Sequence, residues 1–286
     1  MPTDRVTVAL ITRNRRQGLL HTLDRLAALP ERPPLLVVDN GSRDGTAEAA
    51  RAHPAQPRVL TPGRNLGALG RNLAVRHAVT PYVAFSDDDS WWAPGALERA
   101  ADLLDRHPRL GLLAARTLVG PEHHEDPLNA VLAHSPLPAR TDAPGVPVLG
   151  FLACAAVTRK SAFLAAGGYH RVLFFGCEET LLAYDLTASG WAVVHEPSVV
   201  AHHHPEPGER PGRRGLQHRN AVLTHWLRRP LPVALRGTVA LAAAARRDAE
   251  ARTALWGTLA RLPAALRDRR PLPGDVERAA CALERG

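Results

Sequence analysis

Three consecutive acids, Asp87, Asp88 and Asp89, directly follow an apolar segment and carry the most distinctive chemistry of the sequence. Neighbouring carboxylates repel one another, so such a run costs stability unless a cation lies among them. Mg²⁺ and Mn²⁺ prefer oxygen ligands, and Mg²⁺ commonly binds one or two carboxylates together with substrate phosphates. Alternation along an extended chain directs Asp87 and Asp89 to one side and Asp88 to the other. The run therefore predicts a site for Mg²⁺ or Mn²⁺ and a phosphorylated substrate.

Polar residues also follow or precede other predicted elements of the first third of the chain. Taken singly, each group has a structural explanation, because Asn-Gly is a turn dipeptide and Asp44 or Thr46 could cap a helix. Taken together, they gather polar groups at several junctions between strand and helix. The groups are Thr12 to Arg15, Asp39 to Thr46, and Asn65 to Gly67.

The elements that must position these residues alternate between strand and helix. Apolar β-rich runs predict strands over Val6–Ile11, Leu35–Asp39, Arg58–Leu60 and Tyr82–Ser86. Helical spacing of apolar residues predicts helices over Gln17–Leu29, from about Gly45, and over Leu66–Ala78. Such alternation predicts an α/β fold with a parallel sheet and helices on both faces. Ligands bind such sheets at the carboxyl ends of the strands, where these polar residues lie.

The order of these motifs resembles the nucleotide-sugar domain of family 2 glycosyltransferases. The resemblance lies in VTVALITRNR, LLVVDNGSRDGT, RNLGALGRNLA and YVAFSDDDSWW. It implies the GT-A fold, a single Rossmann-like and mostly parallel sheet flanked by helices, and a transfer that inverts the sugar. It also implies a donor site, with Asp89 and Asp87 as metal ligands. By position, the resemblance implies that the nucleotide sugar contacts Thr12, Arg13, Asn14, Asp39, Asn65, Gly67, Arg71, Asp87 and Asp88.

The segment GCEETLLAYDLTASGW, at Gly176–Trp191, resembles the part of the family that carries the catalytic base. Its spacing places Glu179 at the position of the base, and Glu178 is the alternative if the register differs by one. An acid suits this place because a sugar hydroxyl is a poor nucleophile until its proton is taken. Both acids could instead stabilise the start of a helix near Thr180. The segment departs from the family pattern at Glu179, where aspartate is usual, and at Asp185, where arginine is common.

Three histidines follow a further predicted strand, Ser198–Ala201, and resemble the histidine-bearing segment of the family. We expect His202 and His204, which alternation directs the same way, to contact the metal or the diphosphate. An exposed polar loop is the alternative. Beyond them, Arg213–Asn220 resembles the segment that opens the C-terminal helix of the family, and its Arg219 is predicted to bind the diphosphate.

Two further features bear on substrate binding. Leu118–Pro147 contains six prolines and little periodicity, which predicts a long loop that shapes the acceptor pocket. Trp91 and Trp92 follow the acids, where they could stack on a sugar face or pack in the core.

Composition excludes several classes of protein. Apolar residues make up 45% and charged residues 22% of the 286, which is typical of a folded globular chain. Three cysteines without a CxxC pair fit neither a disulfide framework nor a cysteine zinc site. No signal-peptide pattern opens the sequence, and no apolar run approaches the roughly 20 residues that span a bilayer. The predicted location is the cytoplasm, either free or at the inner face of the membrane.

The net charge of +8 lies wholly in residues 205–286, which hold 16 arginines and 8 acids. Nucleic acid is not an expected partner, because the sequence shows no zinc-finger spacing, RNP-type run or helix-turn-helix. We expect Ala/Leu-rich helices over Leu231–Arg247 and Ala251–Arg267 to pack on the catalytic core or to form a homodimer. The alternative is a peripheral contact with an anionic membrane leaflet.

The sequence thus predicts a metal-dependent inverting glycosyltransferase. Residues 1–116 would bind the nucleotide sugar, with UDP or dTDP favoured. Residues 117–229 would bind the acceptor hydroxyl of a glycan, a lipid-linked sugar or a small natural product, and residues 230–286 form a basic helical extension. A nucleotidyltransferase is one alternative, although TRNRRQG is a poor match to its glycine-rich loop. A non-catalytic protein that binds nucleotide sugars is the other.

Overall fold

A computed structural model describes residues 5–206, 208 and 212–285. In this part of the chain the strands are β1 (Val6–Thr12), β2 (Leu35–Asp39), β3 (Arg58–Leu60), β4 (Tyr82–Asp87), β5 (Ser90–Trp92), β6 (Leu110–Val119), β7 (His124–Glu125), β8 (Val146–Pro147), β9 (Ala156–Arg159) and β10 (Ala192–His203). The helices are α1 (Arg16–Ala27), α2 (Thr46–Arg51), α3 (Leu69–His77), α4 (Ala96–Arg106), α5 (Pro127–Ala133), α6 (Lys160–Ala165), α7 (Glu178–Ala188), α8 (Arg213–Arg228), α9 (Leu231–Ala244), α10 (Ala249–Arg267) and α11 (Gly274–Leu283).

These strands form one open sheet in the order β3-β2-β1-β4-β9-β6-β10-β5, with β7 beside β6 and β8 beside β10. Strands β1 to β4, β6 and β10 run in one direction, and β5, β7, β8 and β9 run in the other. The predicted α/β class is therefore confirmed, with a mostly parallel sheet flanked by helices and a helical C-terminal region.

The register of the sheet brings the predicted motifs to one edge. In the pairing of β1 with β2, Thr12 lies opposite Asp39, and in the pairing of β1 with β4, Ile11 lies opposite Asp87. Because these strands are parallel, their carboxyl ends meet at the same edge of the sheet. Strand β10 ends at His203, which pairs with Ser90 of β5 just beyond the acids.

The core is divided between the two faces of the sheet. Alternate residues of β1 belong to separate clusters: Val8 and Leu10 pack on one face, and Ala9 and Ile11 pack on the other. Burial on both faces explains why β1 is a continuous apolar run rather than an alternating one. Trp91 and Trp92, which follow the acids, are buried in the first cluster. Of the two predicted roles, packing in the core is therefore the one that the structure shows.

A third apolar cluster joins the C-terminal helices to α7 and to the segment that precedes it. Leu181 of α7 and Leu223 of α8 lie in this cluster together with Leu241 of α9 and Ala254 of α10. Helix α11 packs separately on Tyr184 of α7. The inner faces of the basic helices therefore pack on the core, as expected.

The structure differs from the predicted long loop at residues 118–147, which contains β7, α5 and β8. Helix α5 begins with Asp126, whose side chain accepts a hydrogen bond of 2.8 Å from the Leu128 N–H, and with Pro127 at the first helical position. Acid followed by proline is a recognised helix start. The predicted boundary at residue 116 falls inside β6, so the two proposed functional halves share one sheet.

Candidate functional site

The three acids after β4 diverge, and each meets a cation of the protein. Asp87 forms an ion pair with Arg71, a fully buried residue of α3. Asp88 accepts a hydrogen bond of 2.7 Å from the Thr12 hydroxyl, and Arg15 Nε lies 3.4 Å from its Oδ1. Arg15 Nη2 also lies 3.7 Å from Asp89 Oδ2. Arg15 therefore lies between two neighbouring acids, Asp88 and Asp89. The sequence instead predicts a cation shared by Asp87 and Asp89.

The electrostatics of Asp88 reflect this crowding. Burial, together with the charges of Asp87 and Asp89, raises the pKa of Asp88 to about 7. The Thr12 hydrogen bond and the Arg15 charge oppose the shift but do not cancel it. Burial and the neighbouring carboxylates therefore both disfavour the charged form of Asp88.

The structure places the side chain of His203, not that of His202 or His204, beside the acids, although the His204 N–H donates a hydrogen bond of 2.8 Å to the Asp89 carbonyl. His203 Nε2 lies 3.5 Å from Asp89 Oδ1, and although burial opposes it, the hydrogen bond to Asp89 raises the pKa of His203. His202 and His204 do share one side, as alternation predicts, but that side faces Trp91, with ring centroids 6.0 and 4.5 Å away. Pairing of β10 with β5 determines this outcome, because it sets His202 opposite Trp91 and His203 opposite Ser90.

The loops after β1 and β2 are tied together beside the acids. Asp39 is buried and accepts hydrogen bonds from the backbone N–H (2.9 Å) and hydroxyl (2.5 Å) of Ser42. The Ser42 hydroxyl in turn accepts a bond of 2.8 Å from the Asn14 N–H, and Asn14 Oδ1 accepts one of 2.8 Å from the Arg43 N–H. Arg13 is exposed at the rim. The predicted nucleotide-binding residues of these two loops thus form one cross-linked surface.

The Asn65 to Asn72 segment packs against the backbone of residues 169–174, in the second half of the chain. Gly67 has φ +57°, and a Cβ there would lie 2.4 Å from the Phe174 carbonyl oxygen, so only glycine fits. Asn65 is exposed and accepts a bond of 2.9 Å from the Gly67 N–H. Asn72 exchanges two hydrogen bonds, of 2.8 and 2.9 Å, with the backbone of Tyr169.

Glu178 and Glu179 open helix α7 next to Arg71. Glu178 is buried, with Oε1 3.9 Å from Arg71 Nη1, whereas Glu179 is partly exposed. Burial raises the pKa of Glu178 to about 8, with the Glu179 charge adding to the shift. Burial also raises the pKa of Glu179, which lies near enough to Asp87 and Arg71 to feel both charges. Since Arg71 contacts both Asp87 and Glu178, it joins the acids at the end of β4 to the start of α7 in one network of ionisable side chains.

Two arginines depart from expectation. Arg219 is buried between α8 and α10, where it donates hydrogen bonds to the Leu173 carbonyl (2.8 Å) and to Asn220 Oδ1 (3.0 Å). The structure therefore gives it a structural role and does not bring it to the acids. Arg15 lies there instead, and the sequence reasoning missed it. Its position directly after the first predicted strand, in the motif TRNR, is the signal that could have identified it.

Asp185, the second departure from the family pattern, forms a structural ion pair. Both of its oxygens accept hydrogen bonds from Arg228 of α8, at 2.5 Å (Nε) and 2.9 Å (Nη2). Both side chains are largely buried. An acid at this position of α7 is therefore matched by an arginine on the neighbouring helix.

The acids suit a divalent ion that is shared with a substrate. Within the part of the chain that the structure describes, no three His, Cys, Asp or Glu side chains are arranged to hold a metal by themselves. An ion that also binds a diphosphate needs only one or two protein ligands. Asp89 and His203, with ligand atoms 3.5 Å apart, can supply them. The residues therefore fit Mg²⁺ or Mn²⁺ bound together with a nucleoside diphosphate.

Comparison with known families agrees with this geometry. The model of glycosyl transferase family 2 matches residues 7–165, which is more than half of the chain. N-acetylglucosaminyl-diphospho-decaprenol L-rhamnosyltransferase of Mycobacterium tuberculosis is 28% identical over 285 residues, which covers 84% of this chain and 92% of that protein. An uncharacterized glycosyltransferase of Mycobacterium bovis is 38% identical over 106 residues, 37% of this chain and 46% of the relative.

Solved structures confirm the fold. The mannosyltransferase PcManGT from Pyrobaculum calidifontis, in complex with GDP-Man and Mn²⁺, superposes with a TM-score of 0.60 at 23% identity and covers 99% of this chain and 76% of its own. TarS 1-349 from S. aureus, in complex with UDP-GlcNAc, has a TM-score of 0.62 at 16% identity and covers 90% of this chain and 72% of its own. None of the helices in the described residues is long and apolar enough to span a membrane.

Proposed function

Since this chain belongs to glycosyl transferase family 2 and is a glycosyltransferase, we propose that it moves a hexose or deoxyhexose from a nucleoside-diphosphate sugar to a hydroxyl of a lipid-linked saccharide. The observation that carries the proposal is the network of ionisable side chains at the carboxyl edge of the sheet. It joins the acids after β4 to the two glutamates of α7 through Arg71. The family assignment decides against a nucleotidyltransferase and against a non-catalytic binding protein.

The donor would lie over the carboxyl ends of β1, β2 and β4. Thr12, Asn14 and Asp39 would contact the nucleoside, because their loops form one surface beside the acids. Asp89 and His203 would hold Mg²⁺ or Mn²⁺, which supplies positive charge to the diphosphate. Arg15 would add a guanidinium at the same place, since it already lies between Asp88 and Asp89.

Glu179 is proposed as the base that removes the proton of the acceptor hydroxyl. It is less buried than Glu178 at the start of α7, which favours it as the group that an acceptor would meet. The raised pKa of Glu179 brings its carboxylate closer to the range in which it accepts a proton efficiently. Glu178 and Arg71 would position this group. The acceptor oxygen then attacks the anomeric carbon from the face opposite the diphosphate, which inverts that carbon.

The nature of the acceptor and donor is supported by the relatives. The M. tuberculosis relative is named for transfer of L-rhamnose to a sugar carried by diphospho-decaprenol, and it aligns over most of both chains. We therefore favour a diphospholipid-linked saccharide over a free glycan or a small natural product. UDP and dTDP stay the proposed donor nucleotides, with residues 1–116 binding the donor and residues 117–229 the acceptor.

A panel of UDP-, dTDP- and GDP-sugars, tested for thermal stabilisation with and without Mn²⁺, examines the donor half of the proposal. We expect one nucleotide class to raise the melting temperature, and only when Mn²⁺ is present. The stabilising donor is then incubated with a polyprenyl diphosphate-linked saccharide or with the same saccharide free in solution. Transfer only to the free saccharide would refute the lipid-linked acceptor, and equal stabilisation without metal would refute metal-dependent donor binding.

A further inference from the structure

Helix α9 leaves an apolar stripe exposed to solvent. Leu231, Leu235 and Val239 follow one another at intervals of four residues, which places them along one side of the helix. They are 50%, 53% and 68% exposed, whereas Ala234 and Leu241 on the inner side are buried. Exposed large apolar residues scattered singly are normal, but an aligned series marks an interaction surface.

Helix α10, which packs against α9, also exposes large apolar residues. Trp256 is 70% exposed, and Leu259 and Leu266 on the same helix are 41% and 47% exposed. The two helices contact each other, and Arg252 of α10 donates a hydrogen bond of 3.1 Å to the Ala245 carbonyl at the end of α9. We call this pair of exposed faces, from Leu231, Leu235, Val239, Trp256, Leu259 and Leu266, the α9–α10 face.

The charged residues of α9, α10 and the turn that joins them are mostly positive. Residues 231–267 contain six arginines and two acids. Arg236, Arg246 and Arg247 are exposed. The two acids are engaged at the start of α10, where Asp248 caps the helix and pairs with Arg214, and Glu250 accepts hydrogen bonds from backbone N–H groups at the start of α8.

We propose that the α9–α10 face docks the enzyme on an anionic lipid bilayer. The leucines, the valine and the tryptophan would enter the headgroup region, where an amphipathic indole is favoured. The surrounding arginines would contact anionic headgroups, and each arginine near such a surface strengthens binding about fivefold. This surface is rich in both apolar area and positive charge, and an anionic bilayer complements both.

A second copy of the chain complements the face less well. In a twofold symmetric dimer the same patch meets itself, so the arginines that border the apolar stripe would approach one another. The acids that could offset them are already paired within the chain. A bilayer instead offers negative charge without requiring any acidic partner from the protein.

The proposal deepens the proposed function, because a lipid-linked acceptor requires the enzyme to work at a membrane surface. The membrane-docking proposal rests on the proposed function only for the reason why the enzyme would need a membrane surface. The face itself is defined by exposure and charge, and vesicle binding can be measured without donor or acceptor. A soluble acceptor would therefore refute the proposed function and leave the vesicle result standing.

Flotation of the full chain with vesicles tests the proposal. We expect binding to phosphatidylcholine vesicles that contain about 30 mol% phosphatidylglycerol, weaker binding to pure phosphatidylcholine, and loss of most binding between about 50 mM and about 500 mM NaCl. The triple variant Leu235→Ser/Val239→Ser/Trp256→Ser should bind at least about tenfold less. The double variant Arg246→Gln/Arg247→Gln should bind about 25-fold less at low salt.

Val79→Ser is the matched control, because Val79 is 84% exposed and lies outside the α9–α10 face, just before β4. This control variant should bind vesicles as tightly as the unmodified chain does. All the variants should have the same melting temperature as the unmodified chain. A chain that stays unbound at low salt, or a triple variant that binds like Val79→Ser, would overturn the proposal. A dimer in solution that the triple variant abolishes, without any vesicle binding, would assign the face to a second copy instead.

Discussion

The carboxyl edge of the sheet and the C-terminal helical layer both pair buried arginines with acids. The two regions differ in how many of the arginine nitrogens have hydrogen-bond partners. In the helical layer Arg228 binds both oxygens of Asp185, and Arg229 binds Glu277 of α11 and Glu284 just after that helix. At the edge of the sheet Arg71 binds Asp87 but keeps two nitrogens, Nε and Nη1, without a hydrogen-bond partner among the described residues.

Under the proposed function, this difference separates ion pairs that stabilise the fold from ionisable groups that would take part in the reaction. A buried polar atom without a partner costs about 1–3 kcal/mol, so a fold retains such atoms where another requirement outweighs stability. In the helical layer the pairs are complete and join α7, α8 and α11. At the edge, Glu178 Oε2 also has no hydrogen-bond partner among the described residues. The following changes test whether the two regions are built for these different purposes.

Replacing Glu179 with Gln should have the largest effect, because the proposed base loses its ability to accept a proton. We expect kcat to fall by a factor on the order of 10²–10⁴ with little change in donor affinity. Steady-state kinetics and donor titration measure the two quantities. Glu178→Gln, the matched control, should reduce kcat far less, and a larger loss in that variant would move the base to Glu178.

Replacing Arg228 with Met should destabilise the helical layer, because it leaves the Asp185 carboxylate buried without its partner. We expect the free energy of unfolding, measured in urea, to fall by about 3–5 kcal/mol. The double variant Asp185→Leu/Arg228→Met should recover most of that loss. Arg214→Met, which breaks an exposed ion pair with Asp248, should cost less than about 1 kcal/mol. Equal losses in the two single variants would contradict a special role for the buried pair.

Replacing Glu178 with Gln should instead stabilise the chain, and increasingly so as the pH rises. The pKa of Glu178 is raised from 4.5 to about 8, so above pH 4.5 the unfolded chain releases a proton that the folded chain retains. This difference lowers the stability of the unmodified chain by at most about 1.4 kcal/mol per pH unit between those values. Unfolding curves at pH 5 and pH 8 should show the advantage of Glu178→Gln widening, and a constant difference would contradict it.

Replacing Asp89 with Asn should weaken metal-dependent binding of the donor about tenfold or more, because one proposed ligand loses its charge. Titration of a nucleotide sugar in the presence and absence of Mn²⁺ measures this change. Asp102→Asn, an exposed acid of α4 that pairs with Arg5, serves as the control and should leave binding unchanged. Unaltered binding and turnover in Asp89→Asn would remove Asp89 from the metal site.

Much of the catalytic half could be predicted because its information is local. The strands Leu35–Asp39 and Arg58–Leu60 occur as predicted, and the helices differ only at their ends. Apolar periodicity depends on neighbouring residues, so it identifies such elements without knowledge of the rest of the chain. The segment after β6 was harder, since α5 is short and its start signal, Asp126-Pro127, lies in a region rich in prolines.

The sequence by itself determined the fold class, the order of the motifs and the edge of the sheet at which they meet, because these follow from periodicity and from parallel strand order. Tertiary structure alone decided which side chains face one another. Strand pairing turned His203 rather than His202 toward Asp89, hydrogen bonds to the Leu173 carbonyl and to Asn220 engage Arg219 away from the acids, and the turn after β1 brought Arg15 to them. These outcomes depend on contacts between residues far apart in the chain, which no local pattern encodes.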